Sequence, residues 1–180
     1  NHRVQVFTAS GGFVRKLTFD ASEGVEDVAV SPDGTTWATS NQGARAQQFS
    51  KSGAPLESIG TTVTAHGVAV DADGNVLVSR NGDGTRAVTR YDKAAAYAPG
   101  LTLGGLAKWG DVEVSPDGSI LVGDNGSLTV RRFDGDGKLT TKVSTNNFGM
   151  DNARAVLAQP DGKIVAVGES DSHVALVRYL

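Results

Sequence analysis

Seven residues whose side chains can bind ligands or take part in catalysis lie just before, or at the start of, four short apolar segments. The groups recur about every 40 residues, which is a period typical of repeat folds. Carboxylates, an imidazole, an amide, a guanidinium and an indole can together bind a polar partner, hold a cation or transfer a proton. The candidates are Glu26, Asp27, His66, Trp109, Asp111, Asn152 and Arg154.

The imidazole of His66 raises the question of a zinc site. Zinc needs three or four converging ligands, and nitrogen or sulfur donors dominate its sites. The positions that match His66 in the other groups hold Glu26, Gly110 and Arg154, and the chain has no cysteine. We therefore expect no zinc site and no thiolate metal centre.

Two aspartate-rich segments suggest calcium as an alternative. Residues 71–75 read Asp-Ala-Asp-Gly-Asn and residues 134–137 read Asp-Gly-Asp-Gly, so both offer closely spaced oxygen ligands. Neither segment continues into a complete calcium loop with its closing glutamate. We interpret both as turns and expect no cofactor, and a calcium ion is the alternative.

The elements that must position the candidates are marked by a repeated turn. Its Asp-Gly pair begins at Asp33, Asp73, Asp117 and Asp161, at spacings of 40, 44 and 44 residues. Short β-branched runs flank every copy, and glycine can adopt the positive φ that a tight hairpin needs. Each copy therefore predicts a β-hairpin, with the candidate residues at the start of its first strand.

An aromatic residue closes a third strand in every repeat, and a fourth strand follows. These aromatic residues recur at one strand position, so we interpret them as core packing and not as bases for nucleic-acid stacking. Four strands in about 42 residues leave no room for a long helix. The residues are Phe7, Phe49, Tyr91, Phe133 and Tyr179.

A sheet of this size cannot bury both faces alone, so the repeats must stack on one another. We predict an all-β chain that forms a β-propeller of four-stranded antiparallel blades, with about four repeats in one domain over 1–180. A β-sandwich is the alternative, although it does not explain the fixed period. The predicted repeats are 1–22 (partial), 23–63, 64–107, 108–150 and 151–180 (partial).

Three segments carry a resemblance to known repeats. Residues 1–7 and 66–78 resemble the third strand and first hairpin of NHL repeats, and residues 153–168 resemble the delta-60 repeat of bacterial surface and secreted propellers. The resemblance implies a segment of a larger six-bladed ring. A closed four-bladed ring is the alternative, in which residues 13–19 supply the last strand of the terminal blade.

The resemblance also bears on function. It implies a non-enzymatic binding module of a larger bacterial protein, extracellular or in the cell envelope. Its partner would be a protein or a glycan, bound by loops at the channel mouth. The alternative is a metal-dependent lactonase-like or lyase-like propeller enzyme, for which Glu26, Asp111 and Asn152, with Glu113 within a buried first strand, would be the ion-binding set.

The charge and composition of the chain argue against two other classes of protein, those that bind nucleic acid and those that span a membrane. The formal net charge is −3, so a basic surface for nucleic acid is not expected. No apolar run is long enough to predict a membrane-spanning helix.

First strands surround the axis of a propeller, so we predict that the candidate side chains converge at one channel mouth. The Asp-Gly turns should lie at the opposite end.

Overall fold

The structure, a computed structural model, describes residues 2–20, 22–82, 85–108, 110–144, 152–170 and 173–179. This part contains 17 strands and one 3-10 turn. The strands form five antiparallel sheets of sequential strands, which we call blades I (β1–β2), II (β3–β6), III (β7–β10), IV (β11–β14) and V (β15–β17). The strands are β1 Arg3–Phe7, β2 Phe13–Thr18, β3 Val25–Val30, β4 Thr36–Ser40, β5 Arg45–Phe49, β6 Pro55–Gly60, β7 Thr64–Val70, β8 Val76–Gly82, β9 Thr85–Asp92, β10 Ala98–Leu103, β11 Val112–Val114, β12 Ile120–Asp124, β13 Thr129–Phe133, β14 Leu139–Ser144, β15 Asn152–Ala158, β16 Ile164–Ser170 and β17 His173–Tyr179.

The four Asp-Gly turns join the first and second strands of blades II to V. Their glycines have φ values of 79°, 85°, 80° and 81°, which is the left-handed region that glycine adopts at low cost. In the first turn the amide of Gly34 donates to the carbonyl of Ser31 at 2.8 Å, and the other three turns repeat this bond. The predicted hairpins are confirmed, and with them the all-β propeller of antiparallel blades.

Neighbouring blades share apolar cores. Trp37 of blade II is fully buried and packs with Ala65, Val68 and Tyr91 of blade III. Leu77 and Leu121 occupy the equivalent position in blades III and IV and are also buried. The second strand of each of these blades therefore anchors the next blade along the chain.

The recurring aromatic residues pack in the opposite direction, against the preceding blade. Phe49, Tyr91, Phe133 and Tyr179 are buried, as predicted. The same prediction is wrong for Phe7, which is 53% exposed and packs edge-on against Phe13. The reason is that no described blade precedes blade I to cover this side chain.

The closed four-bladed alternative is also wrong. Strand β2 pairs with β1, whereas within the described residues β17 pairs with β16. Leu176 of β17 is 70% exposed, although the equivalent Val88 and Val130 of earlier blades are buried. No helix among the described residues has the length and apolar character needed to cross a membrane.

Candidate functional site

An open cavity of about 240 Å³ lies where the first strands of four blades begin. Its walls come from blades II, III, IV and V, so residues up to about 130 positions apart in sequence meet here. Five of the seven predicted candidates line this cavity, which we call the mouth cavity. Its lining residues are Glu26, Asp27, His66, Gly67, Gly110, Asp111, Arg154 and Ala155.

The other two candidates are less well placed by the structure. Trp109 lies outside the described residues. Asn152 begins β15 and pairs with Glu169 in the sheet, but its side chain lies outside the described part. The place of these two side chains at the mouth therefore stays a prediction, as does the binding role of all seven.

Two further cavities continue along the first strands. A cavity of about 310 Å³ shares Asp27 and Asp111 with the mouth cavity and is also lined by Glu113. A third, of about 540 Å³, is lined by Glu113 and by residues of three Asp-Gly turns, among them Pro32 and Pro116. The turns therefore lie at the far end of the same strands, as predicted, and a channel runs between the two ends.

Asp27 links blades II and III. Its carboxylate accepts a hydrogen bond from the amide of Val28 in its own strand at 2.7 Å and another from the amide of Val68 in the next blade at 2.8 Å. Burial raises the pKa of Asp27, and these two hydrogen bonds oppose the rise.

Asp111 links blades IV and V in the same way. Its carboxylate accepts hydrogen bonds from the amides of Val112 and Val156, both at 2.9 Å. Burial, assisted by the negative charges of Asp27 and Glu113, raises the pKa of Asp111 to about 7. A carboxyl group that titrates near neutral pH can donate as well as accept a proton at the channel wall.

The intervening blade interface uses a hydroxyl instead of a carboxylate. Gly67 occupies the position of Asp27 in blade III, and its amide donates to Ser79 Oγ at 2.8 Å. Ser79 Oγ in turn donates to the carbonyl of Gly110 in blade IV at 2.6 Å. Thr39 occupies the same position in blade II and donates to the carbonyl of His66. Hydroxyl and carboxyl bridges together fix the wall of the mouth cavity.

His66 and Glu26 face each other across the rim. His66 Nδ1 lies 3.8 Å from Glu26 Oε2, and the side chain amide of Asn41 donates to the other oxygen of Glu26. Burial lowers the pKa of His66, while the carboxylate of Glu26 acts in the opposite direction. The imidazole is therefore mainly neutral at pH 7.

On the opposite rim, Arg154 forms an ion pair with Glu169 at 3.2 Å. Both side chains are about half exposed, so this pair is worth little in stability. Its consequence is electrostatic. The one cation that lines the mouth cavity among the described residues is already neutralised, so the carboxylates of Glu26, Asp27 and Asp111 set the sign of the cavity.

Metal ligation is not supported by the geometry of the described residues. None of them forms a group of three or more His, Asp or Glu side chains placed to hold a metal ion. In the suggested calcium segment, Asp71 accepts hydrogen bonds from the amides of Asp73 and Asn75 at 3.0 and 2.9 Å. Asp134 accepts from Asp136 and Lys138 in the same way, so both segments are turns held by their first aspartate.

Sequence reasoning missed the alternation that builds the channel wall. Asp27 and Asp111 carry the bridging carboxylates, whereas the equivalent positions in the other two blades hold Gly67 and Ala155. The signal was available, because aligning the Asp-Gly turns places these four residues in one column. Their pairing with the amide of the next blade was not available, since it depends on how the blades dock.

No protein-family model and no curated protein matches this chain. Solved structures do. A protein of unknown function from Bacteroides caccae aligns with a TM-score of 0.77 at 15% identity, over 99% of this chain and 65% of that one. A catalytically inactive virginiamycin B lyase from Staphylococcus aureus, crystallised with quinupristin, aligns with a TM-score of 0.75 at 11% identity, over 97% of this chain and 62% of that one. The WD40 propeller domain of Doa1 aligns with a TM-score of 0.74 at 18% identity, over 97% of this chain and 57% of that one.

These identities are low enough that the likeness concerns the fold alone. The neighbours include a lyase and a WD40 domain, so one architecture is shared by proteins with different roles. The chain spans about three fifths of the length of these structures, between 57% and 65%. Fold and structural neighbours together establish that the described chain is built as a β-propeller.

Proposed function

We propose that this chain is a non-enzymatic β-propeller binding module that engages its partner through the mouth cavity. The observation that carries the proposal is the convergence of five polar side chains from four blades around one open cavity. Polar groups held on rigid strands at an opening are a common arrangement for recognition. The wall needs no ligand to form, because its carboxylates are already hydrogen-bonded to strand amides.

The charge of the cavity favours a basic group in the partner. Glu26, Asp27 and Asp111 line it, and Arg154 is paired with Glu169. A lysine or arginine side chain entering the cavity would gain charge-assisted hydrogen bonds and relieve the repulsion between the carboxylates. Neutral glycans carry no such group, so the acidic lining supports a protein partner over a glycan.

Titration with small probes tests this preference. We expect N-acetyl-lysine methylamide to shift the backbone amide NMR signals of Gly67, Gly110 and Val112, and N-acetyl-leucine methylamide to leave them unchanged. In the variant Asp111→Asn the lysine probe should bind several-fold more weakly. Equal responses to both probes, or no response at the mouth, would contradict the proposal.

A second candidate is a metal-dependent lactonase-like or lyase-like enzyme. It is favoured by the likeness to virginiamycin B lyase and by a channel carboxyl whose pKa lies near 7, which suits proton transfer. Elemental analysis of the purified protein separates the two functions. A stoichiometric divalent metal that is lost in Asp111→Asn would favour the enzyme, whereas metal-free protein that retains probe binding would favour the module.

We also propose membership of the NHL or delta-60 repeat group and a place in a larger, six-bladed bacterial polypeptide that is extracellular or in the cell envelope. The sequence resemblance supports the first part. The exposed apolar side chains of the two end blades, Phe13 in blade I and Val174 and Leu176 in blade V, support further blades on both sides. Sequencing the intact native polypeptide and locating it by cell fractionation test these points.

A further inference from the structure

A second cavity lies at the periphery, between blades II and III, and shares no lining residue with the mouth cavity. It has a volume of about 370 Å³, and we call it the lateral groove. Its walls come from the outer strand β6 and the linker after it on one side, and from β8, β9 and β10 on the other. The residues used below are Glu57, Ser58, Arg80, Thr89, Tyr91 and Tyr97.

Arg80 is the cation of the lateral groove. Its side chain is half-buried, and within the described part of the chain no residue forms a hydrogen bond or an ion pair with its guanidinium. Its Nε atom is fully buried and has no acceptor, as in Arg45 and Arg131, but those two guanidinium groups also bind a carboxylate. A buried charged donor without a partner is costly, and folded proteins normally provide one.

The equivalent place in blade IV contains a complete ion pair. Aligning the blades on their strand registers, Leu77 with Leu121 and Tyr91 with Phe133, puts Arg80 at the position of Asp124 and Thr89 at the position of Arg131. Asp124 is fully buried, and its carboxylate lies 2.5 Å from the guanidinium of Arg131. Blade III therefore has an arginine at the position of the carboxylate, a threonine at the position of the cation, and a cavity beside them.

Blade II supports the comparison. There Arg45, one strand across from Ser40, binds the buried carboxylate of Glu23 at 2.7 Å. Ser40 occupies the position of Arg80 in that blade. Blades II and IV thus both close this region with an arginine and a carboxylate from the chain itself, and blade III does not.

We propose that the lateral groove binds a small hydroxylated monocarboxylic acid of the sugar-acid class, whose carboxylate takes the place of the missing partner of Arg80. A guanidinium recognises a carboxylate through two parallel hydrogen bonds. The aromatic faces of Tyr91 and Tyr97 supply an apolar wall for the body of the ligand. The hydroxyl of Ser58 and the carboxylate of Glu57 pair with ligand hydroxyl groups.

The charge of Glu57 narrows the ligand class. Glu57 lines the same groove and acts electrostatically on Tyr97. A second carboxylate on the ligand would be repelled by this negative charge, so a ligand with a single acid group and several hydroxyl groups fits best.

The backbone around the groove is also unusual. Three of the described non-glycine residues with positive φ line it, namely Thr62, Ala96 and Tyr97. Such backbone conformations are concentrated at ligand-binding sites.

Calorimetric titration with sodium D-glucuronate tests the proposal, with D-glucose and acetate as partial probes. We expect saturable one-to-one binding of glucuronate and binding at least about tenfold weaker for both partial probes. Arg80→Gln should weaken glucuronate binding at least about tenfold, while Arg86→Gln, an exposed arginine on the adjacent strand, should change it by less than about twofold. Asp111→Asn at the mouth should leave it unchanged, which separates this site from the proposed function.

A gain of stability provides the second arm. Thr89→Glu places a carboxylate beside Arg80. The two side chains would then form an ion pair at the positions that Arg131 and Asp124 occupy in blade IV, with the two charges exchanged. It should abolish glucuronate binding and raise Tm by about 2–4 °C. The proposal is overturned if glucuronate gives no saturable binding up to about 50 mM, if Arg80→Gln and Arg86→Gln weaken it equally, or if folded Thr89→Glu still binds it.

Discussion

Asp27 and Asp111 perform the same structural task two blades apart and line the same mouth cavity, where the negative charge of Asp27 helps to raise the pKa of Asp111. Each carboxylate accepts one amide of its own blade and one amide of the next blade. Burial and a neighbouring like charge both disfavour the ionised form of a carboxyl group. The same pair therefore bridges blades and gives the channel wall a group that titrates near neutral pH.

The first prediction concerns pH. The pKa of Asp111 is about 7 in the folded chain, above its ordinary value of 3.8. The stabilising contribution of this raised pKa is complete below about pH 4 and is lost as pH rises through about 7. Between about pH 4 and pH 7, the free energy of unfolding of the wild type should fall by up to about 4 kcal/mol relative to that of Asp111→Asn.

Thermal melts of both proteins across this range measure the difference. Asp136→Asn removes an exposed carboxyl group from a turn outside the mouth cavity and is the matched control. Parallel curves for wild type and Asp111→Asn would show that Asp111 is ionised in the folded state throughout.

A second prediction concerns the imidazole at the mouth. Burial holds the pKa of His66 below 6.5, and the carboxylate of Glu26 partly restores it. Glu26→Gln removes that negative charge, so the NMR titration midpoint of His66 should fall further. Because the folded pKa is below the unfolded one, the contribution of His66 to stability is present above about pH 6.5 and is lost as pH falls. Glu57→Gln, outside the mouth, should not move the midpoint, and an upward shift in Glu26→Gln would contradict the assignment.

The third prediction concerns Trp37, which fills the interface between blades II and III. Its ring packs edge-on against Tyr97 with centroids 5.0 Å apart, and it is fully buried. Trp37→Ala should lower the free energy of unfolding by about 3–5 kcal/mol because it leaves a large cavity. Trp37→Phe keeps most of the contact and removes the buried Nε1, which has no hydrogen-bond partner among the described residues, so it should cost less than about 2 kcal/mol. Urea unfolding of the two variants gives the comparison, and equal losses would be inconsistent with packing as the cause.

A fourth prediction uses two glycines of blades III and IV. A Cβ added at Gly110 would overlap the carbonyl oxygen of Gly123, whereas a Cβ added at Gly104 would have no neighbour within 4 Å. Gly110→Ala should therefore destabilise the chain by at least about 3 kcal/mol, and Gly104→Ala by less than about 0.5 kcal/mol. Denaturant midpoints measure both. Similar midpoints would mean that the close approach of the two backbones at the mouth is absent.

The period of the Asp-Gly turns and of the closing aromatic residues was sufficient to predict the blades. Turn chemistry is local, so Asp33 and Gly34 specify their hairpin without reference to the rest of the chain. The same alignment placed Glu26, Asp27, His66, Asp111 and Arg154 at the start of successive first strands. Radial stacking then brought these side chains together without further information.

Contacts between blades could not be obtained in this way. Asp124 ends β12, and the sequence does not distinguish it from an exposed polar residue, yet it is fully buried, and its carboxylate accepts the amides of Ala107 and Lys108 from the linker that precedes its blade. Phe7 was expected in the core and is exposed, because no described blade covers it. Each outcome depends on which neighbour is docked on a given face.

Composition and periodicity by themselves therefore determined that this chain forms antiparallel blades and which end of each strand carries its polar residues. Only the tertiary structure decided which of those residues are structural and which are available to a ligand. The physical reason is that the partner of a charged side chain is set by how strands and linkers distant in sequence pack together. Arg131 pairs with Asp124 of its own blade and Arg45 pairs with Glu23 of the preceding linker, whereas Arg80 has no carboxylate partner among the described residues. The sequence alone does not distinguish these three arginines.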